Sequence, residues 1–406
     1  MKVNILAMGS QGDVQPYLAL AIGMHQAGHA VTLSTAEKYE PLVRSHGIAF
    51  AALNGEFLDL AEAKGAVEGG GWKLLTKVKP MLRAMLDDAW QSVQGADLIV
   101  YHPKVLAAPE MGAALEIPSV LALPAPLYVP TAAFPNPILP PSLRLGAWGN
   151  RLSYSLTALA SGVFGDVLTA WRRETLHQRA KPSVAVGSPP PILHAFSSHV
   201  VPAPKDWPPH AHITGYWFLK PAESWTPPAD LEAFLAKGPA PIYVGFGSMT
   251  SRDARSKTAI VLEAIRATGQ RALLSRGWGA LEDHDLPEGV MMIDQVPHDW
   301  LFPKVSAVVH HGGAGTTAAG LRAGRPTVIC PFFGDQPFWG ERVRERGVGL
   351  RMPPQKQLTS RDLAEAIAKV TTDHAMRERA EALGALIRSE DGVASAIEIL
   401  EACRPS

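Results

Sequence analysis

The chain has 406 residues, and its 38 Lys and Arg balance its 38 Asp and Glu, so the formal net charge is zero. This length predicts two domains, each large enough to bury a core of its own. A neutral balance argues against a nucleic acid partner, because binding a polyelectrolyte needs a basic surface.

The cysteines and the apolar runs indicate the cellular compartment of the protein. Cys330 and Cys403 lie far apart without the spacing of metal ligands, which indicates a reducing compartment and no disulfide framework. The N-terminal apolar run is too short for a signal peptide, and no uninterrupted apolar run is long enough to span a bilayer. We therefore expect a cytoplasmic protein.

The first half of the chain alternates apolar strands with helices. The turn GSQGD, residues 9–13, separates the first strand from the first helix. Such alternation predicts a parallel sheet with helices on both faces. The predicted strands are Val3–Met8, Ala30–Ser34, Ile48–Leu53 and Asp97–Tyr101, and the predicted helices run from about Gln15 to Ala27, Tyr39 to His46 and Lys73 to Val93.

A proline-rich stretch divides the chain. Between Pro202 and Pro228 prolines crowd together with few periodic apolar positions, which is typical of a linker. We predict one domain over residues 1–218 and a second over 219–406. The second half resumes the alternation, with predicted strands at Pro241–Phe246, Arg271–Ser275 and Val290–Ile293 and a helix at Ala254–Ala267.

The segment Ser306–Val343 is the most informative. An apolar strand ends in His310 and His311, a glycine-rich turn follows, and Thr316 and Thr317 open a helix of small residues. Small residues let the backbone approach an anion, and the free N–H groups of a helix start point at it. His311 adds a hydrogen-bond donor or a positive charge. The segment therefore predicts a diphosphate site.

Polar residues follow the next strand of this segment. Thr327–Cys330 leads to Asp335 and Gln336, which predicts that the diphosphate carries a polar group. Both glycine-bearing turns lie at the carboxyl ends of predicted strands, where open parallel sheets bind their ligands. Two halves of this kind predict a cleft between domains.

These motifs resemble a known family. HHGGAGTT, from His310, and PFFGDQPFWG, from Pro331, look like the nucleotide-sugar signature of inverting glycosyltransferases, and GSQGDVQPYLALA is similar to the opening of the same family. The nearest branch contains sterol glucosyltransferases, enzymes that glycosylate glycopeptide and macrolide antibiotics, and glycolipid rhamnosyltransferases. The resemblance implies an α/β protein of the GT-B fold, with two facing Rossmann-like domains, parallel sheets and an interdomain cleft.

The resemblance also implies roles for individual residues. The first domain would bind the acceptor and the second the nucleotide sugar. Asp335 and Gln336 would hold sugar hydroxyls, and the backbone of Val296 would contact the base. The residues matching the phosphate-binding positions are His311, Gly313, Gly315, Thr316 and, in the run GFGSM, Ser248.

One departure leaves the donor nucleotide open. Plant members place a glutamate for the ribose hydroxyls eight residues beyond the phosphate histidine, and this chain has Ala319 there. We expect transfer of a hexose, glucose from UDP-glucose, and a TDP-deoxysugar such as rhamnose is the alternative. The nucleotide sugar is a co-substrate, and no other cofactor is expected.

The place of the plant catalytic histidine is taken by Asp13, as in the antibiotic and sterol branches. A carboxylate there would accept the proton of the acceptor hydroxyl as that oxygen attacks the opposite face of the sugar, which gives inversion. His102, at the end of a predicted strand, would lie beside Asp13 and tune it. A helix start with His311 would stabilise the leaving diphosphate, so no metal is expected.

The acceptor region is less defined. From Leu121 to Trp171 the chain is rich in proline and apolar residues. Long ordered loops are often functional, and an apolar pocket here would suit the hydroxyl of a sterol, flavonoid, polyketide or lipid. A core helix with a surface loop explains the composition equally well. A peripheral membrane contact and the oligomeric state stay open.

Other interpretations compete with these. Residues 312–315 could form only a tight turn, and Asp13 could be only a helix N-cap. Asp283–Asp285 spells the metal-binding pattern of another transferase fold, but its flanking proline and glycine favour a solvated loop. A sugar-nucleotide epimerase, a non-catalytic sugar-nucleotide binder and a dinucleotide-dependent oxidoreductase are the rival classes. GSQGD lacks the G-x-G-x-x-G pattern of the last.

Overall fold

Two parallel sheets form the framework of the protein. The computed structural model describes residues 1–56, 71–178, 189–220, 225–246, 254–276 and 286–403. The first sheet has seven parallel strands in the order β3-β2-β1-β4-β5-β6-β7. Its strands are β1 (Lys2–Leu6), β2 (Ala30–Ala36), β3 (Ala49–Leu53), β4 (Leu98–Tyr101), β5 (Ser119–Leu123), β6 (Ile192–His194) and β7 (Ala211–Ile213).

The second sheet repeats this plan with six parallel strands in the order β10-β9-β8-β11-β12-β13. Its strands are β8 (Ile242–Gly245), β9 (Ala272–Ser275), β10 (Val290–Ile293), β11 (Ala307–His310), β12 (Thr327–Ile329) and β13 (Gly349–Arg351). Two sheets of Rossmann-like order make this a GT-B arrangement, so the predicted fold class is confirmed.

Helices connect the strands and cover both sheets. Those near the first sheet are α1 (Gln11–Gln26), α2 (Glu40–Ser45), α3 (Gly71–Ser92), α4 (Ala108–Leu115), α5 (Gly146–Ser153), α6 (Ser155–Gly162) and α7 (Gly165–Thr175). The later ones are α8 (Ala229–Ala236), α9 (Ala254–Thr268), α10 (His298–Leu301), α11 (Ala314–Arg322), α12 (Gln336–Glu345), α13 (Ser360–Thr372), α14 (His374–Ser389) and α15 (Gly392–Glu401).

Burial on both faces explains why the strands are continuously apolar. Alternate residues of a strand point to opposite faces, so a sheet covered on both sides needs apolar side chains at nearly every position. In β1, Val3 and Ile5 belong to the cluster that contains Leu18 of α1. Leu6, which points the other way, belongs to the cluster that contains Leu86 of α3.

Strand order locates the ligand edge of each sheet. In the first sheet the order reverses between β1 and β4, and in the second it reverses between β8 and β11. The loops after two such strands leave the sheet in opposite directions, which opens a crevice at their carboxyl ends. The chain segments beginning at residues 7, 102, 246 and 311 therefore border these crevices.

Helix α1 begins earlier than the sequence predicted. Its first residue is Gln11 rather than Gln15, so part of the predicted turn is helical and Pro16 lies inside the helix. Ser10 occupies the N-cap position, and its backbone N–H donates to the Asp13 carboxylate at 2.8 Å. This local contact extends the helix past the glycine that suggested a longer turn.

The segment predicted as a linker contributes a strand. Within Pro202–Pro228, residues Ala211–Ile213 form β7, which pairs with β6 and completes the first sheet. Three residues at a sheet edge are held by backbone pairing and need no apolar periodicity. The pattern of side chains could not reveal such a strand.

The last helix returns to the first domain. Ala396 and Leu400 of α15 are buried in the same cluster as Leu18. The crossing chains approach so closely that a Cβ on Gly392 would lie 2.6 Å from the carbonyl of Gly215. The boundary between residues 218 and 219 stays a prediction, and α15 packs on the first domain although it follows the second in sequence.

A buried apolar cluster joins the two domains. The rings of Phe134 and Phe338 lie 5.3 Å apart between centroids, and those of Phe196 and Trp339 lie 6.0 Å apart. This contact holds the ligand edges of the sheets toward one another. In the described part of the chain, no helix combines the length and the apolar character needed to cross a membrane.

Candidate functional site

The first half of the site is the Asp13 carboxylate, in the first turn of α1. Its Oδ2 accepts hydrogen bonds from the Ser10 backbone N–H at 2.8 Å, the Ser10 hydroxyl at 3.1 Å and the Lys104 ammonium at 2.8 Å. Its Oδ1 lies 3.5 Å from Nε2 of His102. The N-cap of α1 is Ser10, so the interpretation of Asp13 as the N-cap residue is wrong in position.

Charge keeps this carboxyl ionised. Burial alone would raise the pKa of Asp13, but the Lys104 ammonium and the His102 ring outweigh burial and hold the pKa of the carboxyl well below its usual range. The Asp13 side chain keeps 23% of its surface exposed. An ionised oxygen is therefore available to a hydroxyl at the cleft.

Gly9 lets these groups meet. Its backbone has φ +143°, and a Cβ there would lie 2.1 Å from Oδ2 of Asp13 and 2.6 Å from Nζ of Lys104. Only glycine avoids both the strained backbone and this collision. The glycine of the GSQGD motif therefore makes room for the ion pair in addition to turning the chain.

His102 follows β4 directly and is only 3% exposed. Its Nδ1 accepts the backbone N–H of Lys104 at 3.2 Å, so in the neutral ring the proton resides on Nε2, toward Asp13. Burial lowers the pKa of His102, and Asp13 offsets this only in part. The predicted neighbour of Asp13 is where the sequence indicated, but neither ring nitrogen is free to accept a proton.

Lys104 is the residue that sequence reasoning missed. It lies two residues after His102 in the loop that follows β4, and it is 91 positions from Asp13. A lysine in a loop is usually a solvated surface residue, and nothing in the sequence around Lys104 indicates a contact with Asp13. The one indication in the sequence was its position: His102-Pro103-Lys104 follows directly after a strand whose carboxyl end borders the cleft.

The second half of the site is the start of α11. Gly313 is its N-cap, and no side chain caps the helix. At the starts of the later helices α13, α14 and α15, the side chains of Thr359, Asp373 and Asp391 accept hydrogen bonds from backbone N–H groups of the first turn. The first N–H groups of a helix have no intrahelical partner, so those of α11 are open to an anion.

The predicted phosphate residues surround this helix start. Gly315 is exposed with no atom within 4 Å of a Cβ built on it, and Thr316 is half-buried beside it. A Cβ on Gly313 would lie 2.6 Å from Nε2 of His311, so the ring lies against bare backbone. The structure brings these four predicted residues together, whereas Ser248 lies outside the described residues.

His311 is neutral in the free protein. Burial lowers its pKa to about 4, and the carbonyl of Gly245 opposes this only weakly. Its Nδ1 is buried and makes no hydrogen bond to any described residue. The ring therefore offers hydrogen bonding at neutral pH and gains a positive charge only if an anion binds beside it.

Gln336 begins α12 and Asp335 directly precedes it, where the sequence predicted a polar loop. Asp335 does not cap the helix, because its carboxylate accepts the Nε1–H of Trp339 at 2.7 Å. The side-chain oxygen Oε1 of Gln336 accepts the backbone N–H groups of Phe332 at 2.7 Å and Phe333 at 3.3 Å. Both side chains are thus held in one orientation by local contacts.

The two halves face each other. Burial raises the pKa of Asp335, and the Asp13 carboxylate of the other domain raises it further while Lys104 lowers it. The Gln295 amide also donates to the Gln11 side chain at 3.4 Å across the cleft. The carboxylates of Asp13 and Asp335, one from each domain, are therefore close enough to interact electrostatically, and the Lys104 ammonium acts on both.

Val296, Ala319 and Asp283–Asp285 are the remaining positions that the sequence singled out. Val296 lies between β10 and α10, and its backbone N–H and carbonyl make no hydrogen bond within the described ranges. Ala319 is half-buried on α11. Asp283–Asp285 lies outside the described residues, and among the described ones no group of three acidic, His or Cys side chains could hold a metal.

The fold and the site define a two-domain protein of the GT-B class. The family model described as glycosyltransferase family 28 N-terminal domain matches residues 3–132. A second model, the C-terminal domain of erythromycin biosynthesis protein CIII-like proteins, matches residues 279–402. Together the two models match more than half of the chain and include both halves of the site.

Individual relatives agree with the family models. A sterol 3-beta-glucosyltransferase of Aspergillus clavatus is 38% identical over 421 residues, covering 98% of this chain and 29% of that protein. One of Emericella nidulans is 39% identical over 426 residues, covering 98% and 30%. The chain spans about 30% of the length of these curated relatives.

A solved structure shows the same fold. The Streptomyces sp. SF2575 glycosyltransferase SsfS6, complexed with thymidine diphosphate, superposes with a TM-score of 0.65 at 20% identity, covering 99% of each chain. This likeness shows the fold, and the family models and sequence relatives show that the chain belongs to the family of GT-B glycosyltransferases that includes the sterol glucosyltransferases.

We predict that Lys104→Met raises the pKa of Asp13, because burial of the carboxyl is then opposed by fewer groups. The Asp13 pKa is depressed in the folded protein, so the ion pair stabilises the fold at neutral pH and is lost as the pH falls through that pKa. Titration of carboxyl carbons by ¹³C NMR measures the shift, with Asp13→Asn assigning the resonance. Lys237→Met, a change at an exposed lysine, should leave the titration as it is in the unaltered protein. An identical Asp13 titration in the Lys104 variant would contradict the electrostatic role.

Proposed function

We propose that this protein is a metal-independent inverting glycosyltransferase that moves a hexose, glucose from UDP-glucose, onto the hydroxyl of a lipophilic acceptor of the sterol class. One observation carries the proposal. The ionised Asp13 carboxylate lies near enough to Asp335 of the second domain to raise the pKa of that group, and the helix that carries Asp13 packs against α11, whose N-terminus no side chain caps. A proton acceptor on one side and an anion site on the other are what this transfer needs.

The chemistry balances with groups of the chain alone. The acceptor oxygen forms a bond to the anomeric carbon as the bond from that carbon to the diphosphate oxygen breaks. The hydroxyl proton passes to Asp13, and the bonding pair leaves with the diphosphate. The growing charge on the leaving group meets the helix N–H groups and His311, whose ring can take up a proton beside it.

A carboxylate with a low pKa is a weak base, but a weak base is sufficient when the proton is transferred late in the reaction. The acceptor hydroxyl is not acidic at the start. Its proton becomes very acidic once the oxygen has bonded to the anomeric carbon. Asp13 then needs only to be close and unprotonated, which Lys104 ensures. His102 acts as a positioning residue, because its buried Nε2–H is directed at the carboxylate.

The donor would lie along the edge of the second sheet. Asp335 and the amide nitrogen of Gln336, whose side chains are held by local contacts, would bind the sugar hydroxyls. The backbone N–H and carbonyl of Val296, which pair with no described residue, would contact the base, and Ser248 would close over the phosphates. The sugar would then sit between Asp335 and Asp13, with its anomeric carbon accessible to the acceptor.

The curated relatives support glucose and a sterol-class acceptor by their names alone. A TDP-deoxysugar such as rhamnose is the second candidate, supported by the thymidine diphosphate in the SsfS6 complex and by Ala319 in place of a ribose-binding glutamate. An epimerase or a simple sugar-nucleotide binder would have no use for an ionised Asp13 at the facing edge. We place the reaction in the cytoplasm, in keeping with the free thiols of Cys330 and Cys403.

The proposed function is tested by nucleoside diphosphate release. Purified protein is supplied with UDP-glucose or TDP-rhamnose, with and without a solubilised sterol, in the presence of EDTA. Release that requires both substrates, together with a β-linked glucoside of the sterol, is the expected result. An activity that disappears with EDTA and returns with magnesium or manganese would overturn the metal-independent mechanism, and release without acceptor would favour a hydrolase.

We predict that His311→Ala weakens UDP-glucose binding by about 10- to 100-fold, because a charge-assisted contact of about 1.5–3 kcal/mol is lost. The free ring has a pKa of about 4 and gains a proton when the diphosphate binds, so affinity should rise as the pH falls from 8 to 6. Calorimetric titration at both pH values measures this, and the rise should vanish in the variant. His25→Ala, at an exposed histidine of α1, should behave as the unaltered protein. Equal donor affinity in the His311 variant would remove this residue from the donor site.

We predict that Asp13→Asn lowers the single-turnover rate by about 100-fold or more, because the amide cannot accept the proton. Donor affinity should stay within a few-fold of the original. Asp362→Asn is a matched control, since Asp362 also lies three residues after an N-cap hydroxyl and pairs with it, Thr359 Oγ1 to Oδ2 at 2.7 Å. This control removes a similar carboxylate contact at the start of a helix that is not part of the candidate site. A fully active Asp13→Asn enzyme, or an equal loss in both variants, would contradict the assignment.

A further inference from the structure

The exposed apolar residues of this protein are concentrated in one place. In the described part of the chain ten large apolar side chains are exposed, and eight of them lie between Ile138 and Val163. Trp148 is 76% exposed and Leu159 is 73% exposed. Scattered apolar residues are ordinary on a surface, but a contiguous group marks a contact with something else.

These residues form a helical stripe. Leu145, Trp148, Leu152, Leu156, Leu159 and Val163 follow one another at intervals of three or four residues along α5 and α6. Tyr154, between the two helices, keeps helical dihedrals of φ −70° and ψ −17°, so the helices continue with little change of direction. From Gly146 to Gly162 they extend roughly 25 Å at 1.5 Å per residue. We call this set the apolar stripe.

The amphipathic pattern of these helices is inverted. An apolar stripe normally faces the core, with polar residues toward water. Here the inward side of α5 makes polar contacts, since the Asn150 amide donates to the Ala132 carbonyl at 2.8 Å and Ser153 accepts the Asn136 backbone N–H at 2.8 Å. These bonds hold the helices on the first domain. The apolar side is therefore presented outward by a fixed scaffold.

The segment that carries the apolar stripe contains no acidic side chain of its own. From Ile117 to Gly165 the sequence contains no Asp or Glu, and its only cationic side chains with a permanent charge are Arg144 and Arg151. Arg151 pairs with Asp206 at 2.8 Å, and Arg144 is exposed beside the stripe. An apolar face with an exposed tryptophan and a cationic edge complements the surface of an anionic lipid bilayer.

The helices that carry the apolar stripe are packed against the interface between the domains, since Tyr154, between α5 and α6, belongs to the buried cluster that contains Phe338. The segment that leads into α5 contains Phe134, whose ring packs against Phe338 of α12. Phe338 lies two residues after Gln336, so the base of these helices packs beside the helix that begins at the candidate sugar site. A molecule dissolved in a membrane beneath the stripe would be close to the interface between the domains.

We propose that the apolar stripe docks the protein on an anionic lipid bilayer, where it collects a membrane-dissolved acceptor. The helices lie in the bilayer interface with Trp148 and Leu159 inserted and Arg144 at the headgroups. The docking stands on the geometry and charge of the stripe. The collection of the acceptor rests on the proposed function, and the two are tested by separate measurements.

Vesicle flotation tests the docking. The full chain is mixed with vesicles of phosphatidylcholine alone or with phosphatidylglycerol, and it should float with the anionic vesicles. The double variant Trp148→Glu with Leu159→Glu should lose about tenfold or more of this binding, because two charges enter the apolar contact. Leu386→Glu, an exposed leucine of α14, is the matched control and should float normally. Arg144→Gln should reduce the dependence on phosphatidylglycerol.

Two outcomes would overturn the docking. One is a full chain that stays with the soluble fraction at every vesicle composition, or a double variant that floats as well as the control. The other is a dimer in size-exclusion chromatography that the double variant converts to a monomer, since the stripe would then be an interface between copies. Equal thermal midpoints of the variants ensure that unfolding does not produce either result.

The collection step is tested by offering cholesterol in two forms with UDP-glucose. The double variant should lose turnover of cholesterol embedded in anionic vesicles and keep turnover of cholesterol carried by cyclodextrin. Equal losses in both forms would overturn the collection step. If the unaltered protein glycosylates neither form, the proposed function fails while the flotation result still decides the docking.

Discussion

Parallel strands point their carboxyl ends to one edge of a sheet, and both sheets of this protein turn that edge toward the same cleft. At the point where strand order reverses, two neighbouring loops separate, so a side chain or a helix start can enter the crevice. Asp13 and His102 follow β1 and β4 in this way, and His311 follows β11. The chemistry of the site is thus assembled by topology before any particular side chain is considered.

The charges in the cleft have to be arranged against repulsion. Asp13 and Asp335 belong to different domains, and each would be less stable as a carboxylate with the other nearby. Lys104 lies against Asp13 and also acts on Asp335, so one ammonium moderates both. The same arrangement leaves Asp13 ionised and Asp335 with a raised pKa. The two carboxylates therefore have different environments and suit different tasks.

Packing between the domains also orients the Asp335 carboxylate. Trp339 is fully buried against Phe196 of the first domain, and its Nε1–H holds the Asp335 carboxylate. An apolar contact across the interface therefore orients a polar group that faces the cleft. A change in how the domains pack would move this carboxylate, which couples the fit of the domains to the geometry of the candidate sugar site.

Local sequence determined the elements whose causes are local. The alternation of strands and helices, the glycine at 313 before a helix start and the placement of His311 were all readable, because each depends on residues within one turn or one strand. The start of α1 was misplaced by four residues because the contact of Ser10 with Asp13 extends the helix. The short edge strand β7 carries no side-chain pattern, so only its pairing with β6 reveals it.

Tertiary structure alone decided the contacts that join distant positions. Lys104 and Asp13 are 91 residues apart, and no local pattern shows that the ammonium meets the carboxylate or that the backbone of Lys104 fixes the tautomer of His102. The two helices of the apolar stripe, α5 with Trp148 and α6, have the same apolar spacing as a core helix. Periodicity establishes that one face is apolar, and only the folded chain determines whether protein covers that face or leaves it to another surface.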